Sequence, residues 1–165
     1  IVSSYFANTI LENVTIVRNK AATAGGLHIQ TDSSVPYGGP MRNVICVLNE
    51  APLTNNVALT PFAGYDLTNN NAFVYSCAQP AIPGPGNIGD NPNFYDPGIN
   101  AGLALTGGNF RLRASSPCRN SGTNLAWMTA ATDLEGFPRL DAKTLRVDMG
   151  AYETPVAAGT ILSLR

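Results

Sequence analysis

The sequence predicts an all-β solenoid in which short strands stack repeat upon repeat and a loop-rich carboxy-terminal segment closes the stack. Three observations predict it. First, Leu11-Glu-Asn13-Val14-Thr-Ile16-Val17-Arg-Asn19-Lys-Ala21 aligns without a gap on Met41-Arg-Asn43-Val44-Ile-Cys46-Val47-Leu-Asn49-Glu-Ala51, an offset of 30 residues. Self-similarity at such a period marks architectures in which each unit completes its core only against its neighbours. Second, the apolar runs inside the repeat, such as Val14-Thr-Ile-Val17, are four or five residues long and β-branched, which suits strands and not a helical stripe. Third, charged residues make up 13% of the chain against about a quarter in ordinary soluble domains, while 17 Asn, 16 Gly and 12 Pro carry the polarity. Such a composition favours turns and side-chain to backbone hydrogen bonds over helix.

Taken in order, Ile1 to Phe6 reads as a strand with no cap before it. The face it exposes therefore needs covering by preceding coils, another subunit or a partner. The first copy of the repeat follows, then Ala24 to Gln30 as a second short strand behind a diglycine turn, and Pro36 to Pro40 as a loop. After the second copy, a weaker third one, Asn71-Ala-Phe73-Val74-Tyr75-Ser76, begins 28 residues on. Asn13, Asn43 and Asn71 then fall at one level, where their amides are expected to form a ladder at the strand spacing of about 4.8 Å. From Pro80 to Phe94 the chain is too rich in proline for a central strand. It is expected to run across the flank of the stack, anchored by Ile88, Phe94 and Tyr95, before strands at Leu103 to Leu105 and Phe110 to Arg113. The organisation is a single domain: repeats over 1–79, connection and last coil over 80–109, a charge-rich capping segment over 110–155, and an apolar tail strand over 156–165.

At 165 residues the chain is long enough for one core. A net charge of -1 with scattered arginines leaves no basic stripe, which excludes an electrostatic footprint for nucleic acid. No apolar run approaches the roughly 20 residues of a membrane span. Opening within an apolar run and without a methionine, the chain is expected to be a fragment or a processed product. Cys46, Cys77 and Cys118 lack the spacing of a zinc site. Cys77 and Cys118 sit beside turn residues and are the candidate disulfide, whereas Cys46 lies in an apolar run and is expected in the core.

The blocks Tyr75-Ser-Cys77, Gly84-Pro-Gly-Asn87-Ile88, Asn91-Pro-Asn-Phe94, Phe110-Arg-Leu112, Ser116-Pro-Cys118, Asp133-Leu-Glu-Gly136-Phe-Pro138-Arg139 and Val147-Asp148-Met-Gly150-Ala-Tyr152-Glu153 occur in that order. So ordered, they resemble the carboxy-terminal segment of bacterial right-handed parallel β-helix surface proteins of the choice-of-anchor Q type, which are similar to pectate-lyase-like β-helices. The resemblance spans nearly the whole chain. It implies a right-handed parallel β-helix that is secreted or surface-attached and forms the end of a longer chain. The family commonly has an aspartate where Glu135 stands.

Asp133, Glu135, Asp148 and Glu153, with Arg139 and Arg146, are the candidate catalytic constellation. A glycosidase needs two carboxylates at a set separation, and a polysaccharide lyase needs a base beside calcium-binding acids. A calcium ion on the Asp133 loop would be the one cofactor such a site calls for. The simpler expectation is structural: Arg139 forms a bidentate pair with Asp148 or Glu153 and ties the closing loop down where the coil ends. His28, between Leu27 and Ile29, is expected to face solvent, and no nucleophile has a partner base. Trp127, Tyr65 and Tyr95 are candidate platforms for a sugar ring. The expected function is therefore a non-catalytic structural or adhesive module outside the cell, with a carbohydrate-active enzyme as the alternative. The tail from Gly159 to Arg165 would add a strand to the open edge of a neighbouring copy.

Overall fold

The computed structural model describes residues 3–4, 10–30, 40–60, 73–101 and 104–155. Among these the architecture is all-β, with one 3₁₀ turn at Ala126–Thr129 and no helix long and apolar enough to cross a membrane. The first repeat supplies β2 (Leu11–Glu12), β3 (Thr15–Val17) and β4 (Leu27–Gln30), and β1 (Ser3–Ser4) precedes it. The second supplies β5 (Met41–Arg42), β6 (Ile45–Val47) and β7 (Val57–Thr60), and the third β8 (Phe73–Val74) and β9 (Cys77–Ala78). These strands form three parallel three-stranded sheets, β2-β5-β8, β3-β6-β9 and β1-β4-β7, so successive repeats lie over one another.

Register follows the repeat. Leu11 pairs with Met41 and Ile16 with Cys46, an offset of 30, but Met41 pairs with Phe73 and Ile45 with Cys77. Val44 likewise bonds to Ser76, 32 residues on, so the third repeat is longer than the 28-residue spacing predicts. Asn71 lies outside the described residues. At the level of Asn13 and Asn43 the register instead places Tyr75, and all three share a left-handed backbone, with φ of 53°, 56° and 49°. That conformation is sterically unfavourable for a residue with a Cβ and is tolerated best by asparagine.

Alternation along β3, β6 and β9 sends Ile16, Cys46 and Ala78 inward, where the buried members pack with Leu27, Met41, Val44 and Phe73. Ile45, Val47 and Cys77 face the other way and pack with Phe94, Leu112, Cys118 and Met149. Both faces of this sheet are covered, which is why the runs read as continuous apolar stretches and not as an alternation.

The two segments after the repeats exchange the parts expected of them. Residues 84–90 follow the third repeat in parallel: Ile88 bridges to Cys77, Ile88 N–H donates to Ser76 O (2.9 Å), and Ala78 N–H donates to Ile88 O (3.1 Å). Tyr75 N–H donates to Pro85 O and the Asn87 amide to Phe73 O (2.6 Å). The proline-rich stretch therefore closes the end of the stack, and its prolines keep a further strand from adding.

The charge-rich segment instead covers a flank. It begins with β10 (Phe94–Asp96), β11 (Ile99–Ala101), β12 (Ala104–Thr106) and β13 (Asn109–Leu112), in which β10 pairs antiparallel with β13 and β11 with β12. It then runs back across the outer face of β9, β6 and β3. Gly150 N–H donates to Asn43 O (2.7 Å), Ala151 N–H to Thr15 Oγ1 (3.0 Å), and Trp127 Nε1–H to Glu12 Oε2 (2.8 Å). The segment is a flap along the repeats and not a lid on the last one.

Candidate functional site

The four acids do not converge on an open groove. Asp133 is buried and templates its own loop: one carboxylate oxygen accepts the N–H groups of Glu135 (2.8 Å) and Phe137 (2.9 Å), the other that of Glu153 (2.8 Å). Asp148, also buried, accepts the N–H groups of Asn120 (2.6 Å) and Thr154 (2.7 Å). Glu153 accepts the Arg139 guanidinium on Oε1 (3.2 Å) and the Asp148 N–H on Oε2 (2.9 Å). Of the two partners expected for Arg139, the structure places Glu153 against it, and a second bond from the same nitrogen reaches Gly150 O (3.4 Å). Glu135 stands apart, paired with Arg111 on the surface.

These contacts decide what the acids can do. A carboxylate whose oxygens already accept backbone N–H groups holds turns together, and freeing it for proton transfer or metal ligation would leave buried donors unpaired at about 1–3 kcal/mol each. Among the described residues no group of three or more His, Cys, Asp or Glu side chains is disposed to hold a metal ion.

Electrostatics matches this picture. Burial pushes the Glu153 carboxyl up to about 8, against the opposing pull of the Asp148 N–H and Arg139. Burial likewise raises Asp148, offset in part by the Asn120 and Thr154 N–H groups. A raised folded-state value means that the folded protein holds a proton which the unfolded chain has released. The contribution of Glu153 is therefore fully present below 4.5, its ordinary value, and is lost as pH rises through about 8. Urea midpoints are expected to fall between pH 5 and pH 8, and Glu153→Gln is expected to flatten that slope. A midpoint that rises over the same interval would contradict the assignment.

The asparagines join repeat to repeat and repeats to flap. Asn43 Nδ2 donates to Asn13 Oδ1 (3.1 Å) and to Thr123 O (2.9 Å), while Asn43 Oδ1 accepts Thr123 N–H (2.7 Å). Asn13 Nδ2 donates to Asp148 O (3.3 Å). A second chain that the sequence reading did not single out runs through Asn19, Asn49 and Asn56. Asn19 N–H and Nδ2 donate to Asn49 Oδ1 (2.9 and 3.0 Å), Asn49 N–H to Asn56 Oδ1 (2.9 Å), and Asn56 Nδ2 to Gln79 O (2.6 Å). Its signal was present, because Asn19 and Asn49 are an identity of the repeat. Charges follow the same register, with Arg42 on Glu12 (3.2 Å) and Lys20 on Glu50 (3.5 Å).

Cys77 and Cys118 come together, the Cys118 thiol hydrogen-bonded to Cys77, yet both are free thiols and not a disulfide. That bond and burial hold the Cys118 thiol protonated by raising its pKa, and the Cys77 thiol also donates to Asp90 O (3.2 Å). Cys46 is buried as expected, and desolvation pushes it up to about 12. His28 is half-buried on β4 and does not stand free in solvent. Trp127 is 45% exposed beside Glu12, and Tyr95 is 50% exposed, whereas Tyr65 lies outside the described residues. Arg146 is exposed, remote in role from the buried acids. Set against protein-family models, curated proteins and solved structures, the chain matches none of them.

Proposed function

We propose that this chain is a non-catalytic structural and adhesive module, a right-handed parallel β-helix segment displayed on the surface of a bacterial cell. The observation that carries the proposal is the state of the charge-rich segment. Asp133, Asp148 and Glu153 spend their oxygens on backbone N–H groups and on Arg139, so the residues best suited to catalysis serve as fasteners. The parallel registered repeats and the resemblance of the ordered blocks support the β-helix, and the resemblance supports the extracellular setting.

The tail, residues 156–165, lies outside the described residues. Its alternating small and apolar sequence supports strand addition to the open edge of another copy, giving head-to-tail assembly. Two measurements test the proposal. The chain is expected to release no reducing ends or unsaturated sugars from pectin, alginate or glucan, and release above a heat-denatured control would overturn the non-catalytic assignment. Light scattering is expected to show oligomers that disappear on deletion of residues 156–165, and an unchanged oligomer removes strand addition by the tail.

A further inference from the structure

A cleft of 430 Å³ opens on the flap, with Tyr95, Asn109, Arg111, Arg119, Glu153 and Thr154 in its walls. Its volume falls within the roughly 300–1,000 Å³ of small-molecule sites. The walls differ sharply in what their polar groups already do. Arg111 is committed: Nε and one terminal nitrogen bond to Glu135, the other terminal nitrogen bonds to Asn109 Oδ1 (3.0 Å), and the guanidinium lies 5.7 Å from the centre of the Tyr152 ring. Glu153 is committed to Arg139 and to the Asp148 N–H. Arg119 is not. It is half-buried, its Nε–H is fully buried without a hydrogen-bond partner, and among the described residues no carboxylate pairs with it. The nearby acids are spent, Asp148 on Asn120 and Thr154 and Asp141 on the N–H groups of Lys143 and Thr144. The masked tail offers no side-chain carboxylate either, since Val156 to Arg165 contains neither Asp nor Glu.

A buried guanidinium N–H left unpaired is costly, and a planar fork of donors in a cleft wall is the preferred partner of a carboxylate. Beside it stands Tyr95, half exposed, with one face of its ring occupied by the Arg113 guanidinium at 4.9 Å. That contact and the Arg113 bonds to Phe94 O and Tyr95 O steady the strand that carries the ring. Asn109 Oδ1 is taken by Arg111, which leaves its amide nitrogen to donate. One uncommitted cation, an aromatic face and an amide donor together make a site for a ring that bears a single carboxylate. A phosphate group would call for several converging cations or backbone N–H groups, and the second cation here is already neutralised by Glu135.

We propose that this cleft binds an acidic saccharide, with the uronate carboxylate on Arg119, the sugar ring against Tyr95 and a ring hydroxyl on the Asn109 amide. The proposal deepens the adhesive function above and rests on it only for the expectation that bound sugar is not cleaved. Calorimetric titration of the full chain with trigalacturonate tests it, with galactotriose and inorganic sulfate as parallel probes. Saturable binding of trigalacturonate is expected, together with at least about tenfold weaker binding of the neutral trisaccharide, since a charge-assisted pair contributes about 1.5–3 kcal/mol. Arg119→Gln is expected to weaken binding by about tenfold or more, and the surface substitution Tyr95→Ala by about fivefold, each with an unchanged thermal melt. Should Arg119→Gln fail to fold, Tyr95→Ala alone decides, and wild-type affinity in it overturns the site. No binding, equal binding of galactotriose, or sulfate binding as tightly as the sugar also overturns it. Cleavage of the bound trisaccharide would instead overturn the non-catalytic function while leaving the site in place.

Discussion

Asn43→Ala is expected to destabilise the protein by about 3–5 kcal/mol, a large part of the roughly 5–15 kcal/mol that holds a domain folded. Asn43 is fully buried, and its side chain makes three hydrogen bonds at once, to Asn13 in the first repeat and to both backbone groups of Thr123 in the flap. Alanine would leave each partner buried and unpaired at about 1–3 kcal/mol, in a backbone whose φ of 56° disfavours any residue with an unassisted Cβ. Asn43→Gly loses the same bonds but accepts that φ, so it is expected to be less damaging than Asn43→Ala by about 1 kcal/mol. Urea denaturation followed by circular dichroism measures both. A loss under about 1 kcal/mol for Asn43→Ala would mean that the amide does not hold flap to repeats.

The second large effect is expected at the diglycine of the first repeat. A Cβ on Gly26 would sit 2.4 Å from Asn56 O and 2.5 Å from Cys46 Sγ, and one on Gly25 would sit 2.3 Å from Asn55 O. The first obstacles are backbone atoms of the next repeat, which themselves accept Gly26 N–H (3.0 Å) and Leu27 N–H (2.8 Å). Neither repeat can move aside without breaking that ladder. Gly26→Ala is therefore expected to cost about 3 kcal/mol or more, beyond ordinary overpacking. Gly136→Ala is the control: its φ is +87° but nothing lies within 4 Å of an added Cβ. Only backbone strain of about 1 kcal/mol applies there. Equal thermal shifts in the two variants would show that close approach of the repeats does not limit stability.

Much of the parallel stack was legible in the residues. The gapless match of Leu11 to Ala21 on Met41 to Ala51 states which residues stack, and the observed pairs Leu11 with Met41 and Ile16 with Cys46 have that offset. The third repeat was legible only in part. Asn71 was aligned with Asn43 by residue type, whereas pairing of Met41 with Phe73 puts Tyr75 at that level. A masked loop of different length separates the copies there, and loop length is weakly constrained by the strands it joins. The candidate site was legible as a set of residues but not as an arrangement. Asp133, Arg139, Asp148 and Glu153 do gather, yet nothing in their spacing distinguishes acids facing a groove from acids accepting N–H groups of their own loops.

By itself the sequence determined the strands, their parallel repetition and the left-handed asparagine bends, because each depends on neighbours one repeat away that the period itself identifies. Only the tertiary structure decided that residues 84–90 close the stack, that the charge-rich segment lies along its flank, that Arg139 takes Glu153, and that Arg119 is left without a partner. Those outcomes depend on contacts as distant as Asn13 with Asp148 and Thr15 with Ala151, 135 and 136 residues apart. No local period encodes them. They follow from which apolar face, that of Ile45, Val47 and Cys77, the first repeats leave for Phe94, Leu112 and Met149 to cover.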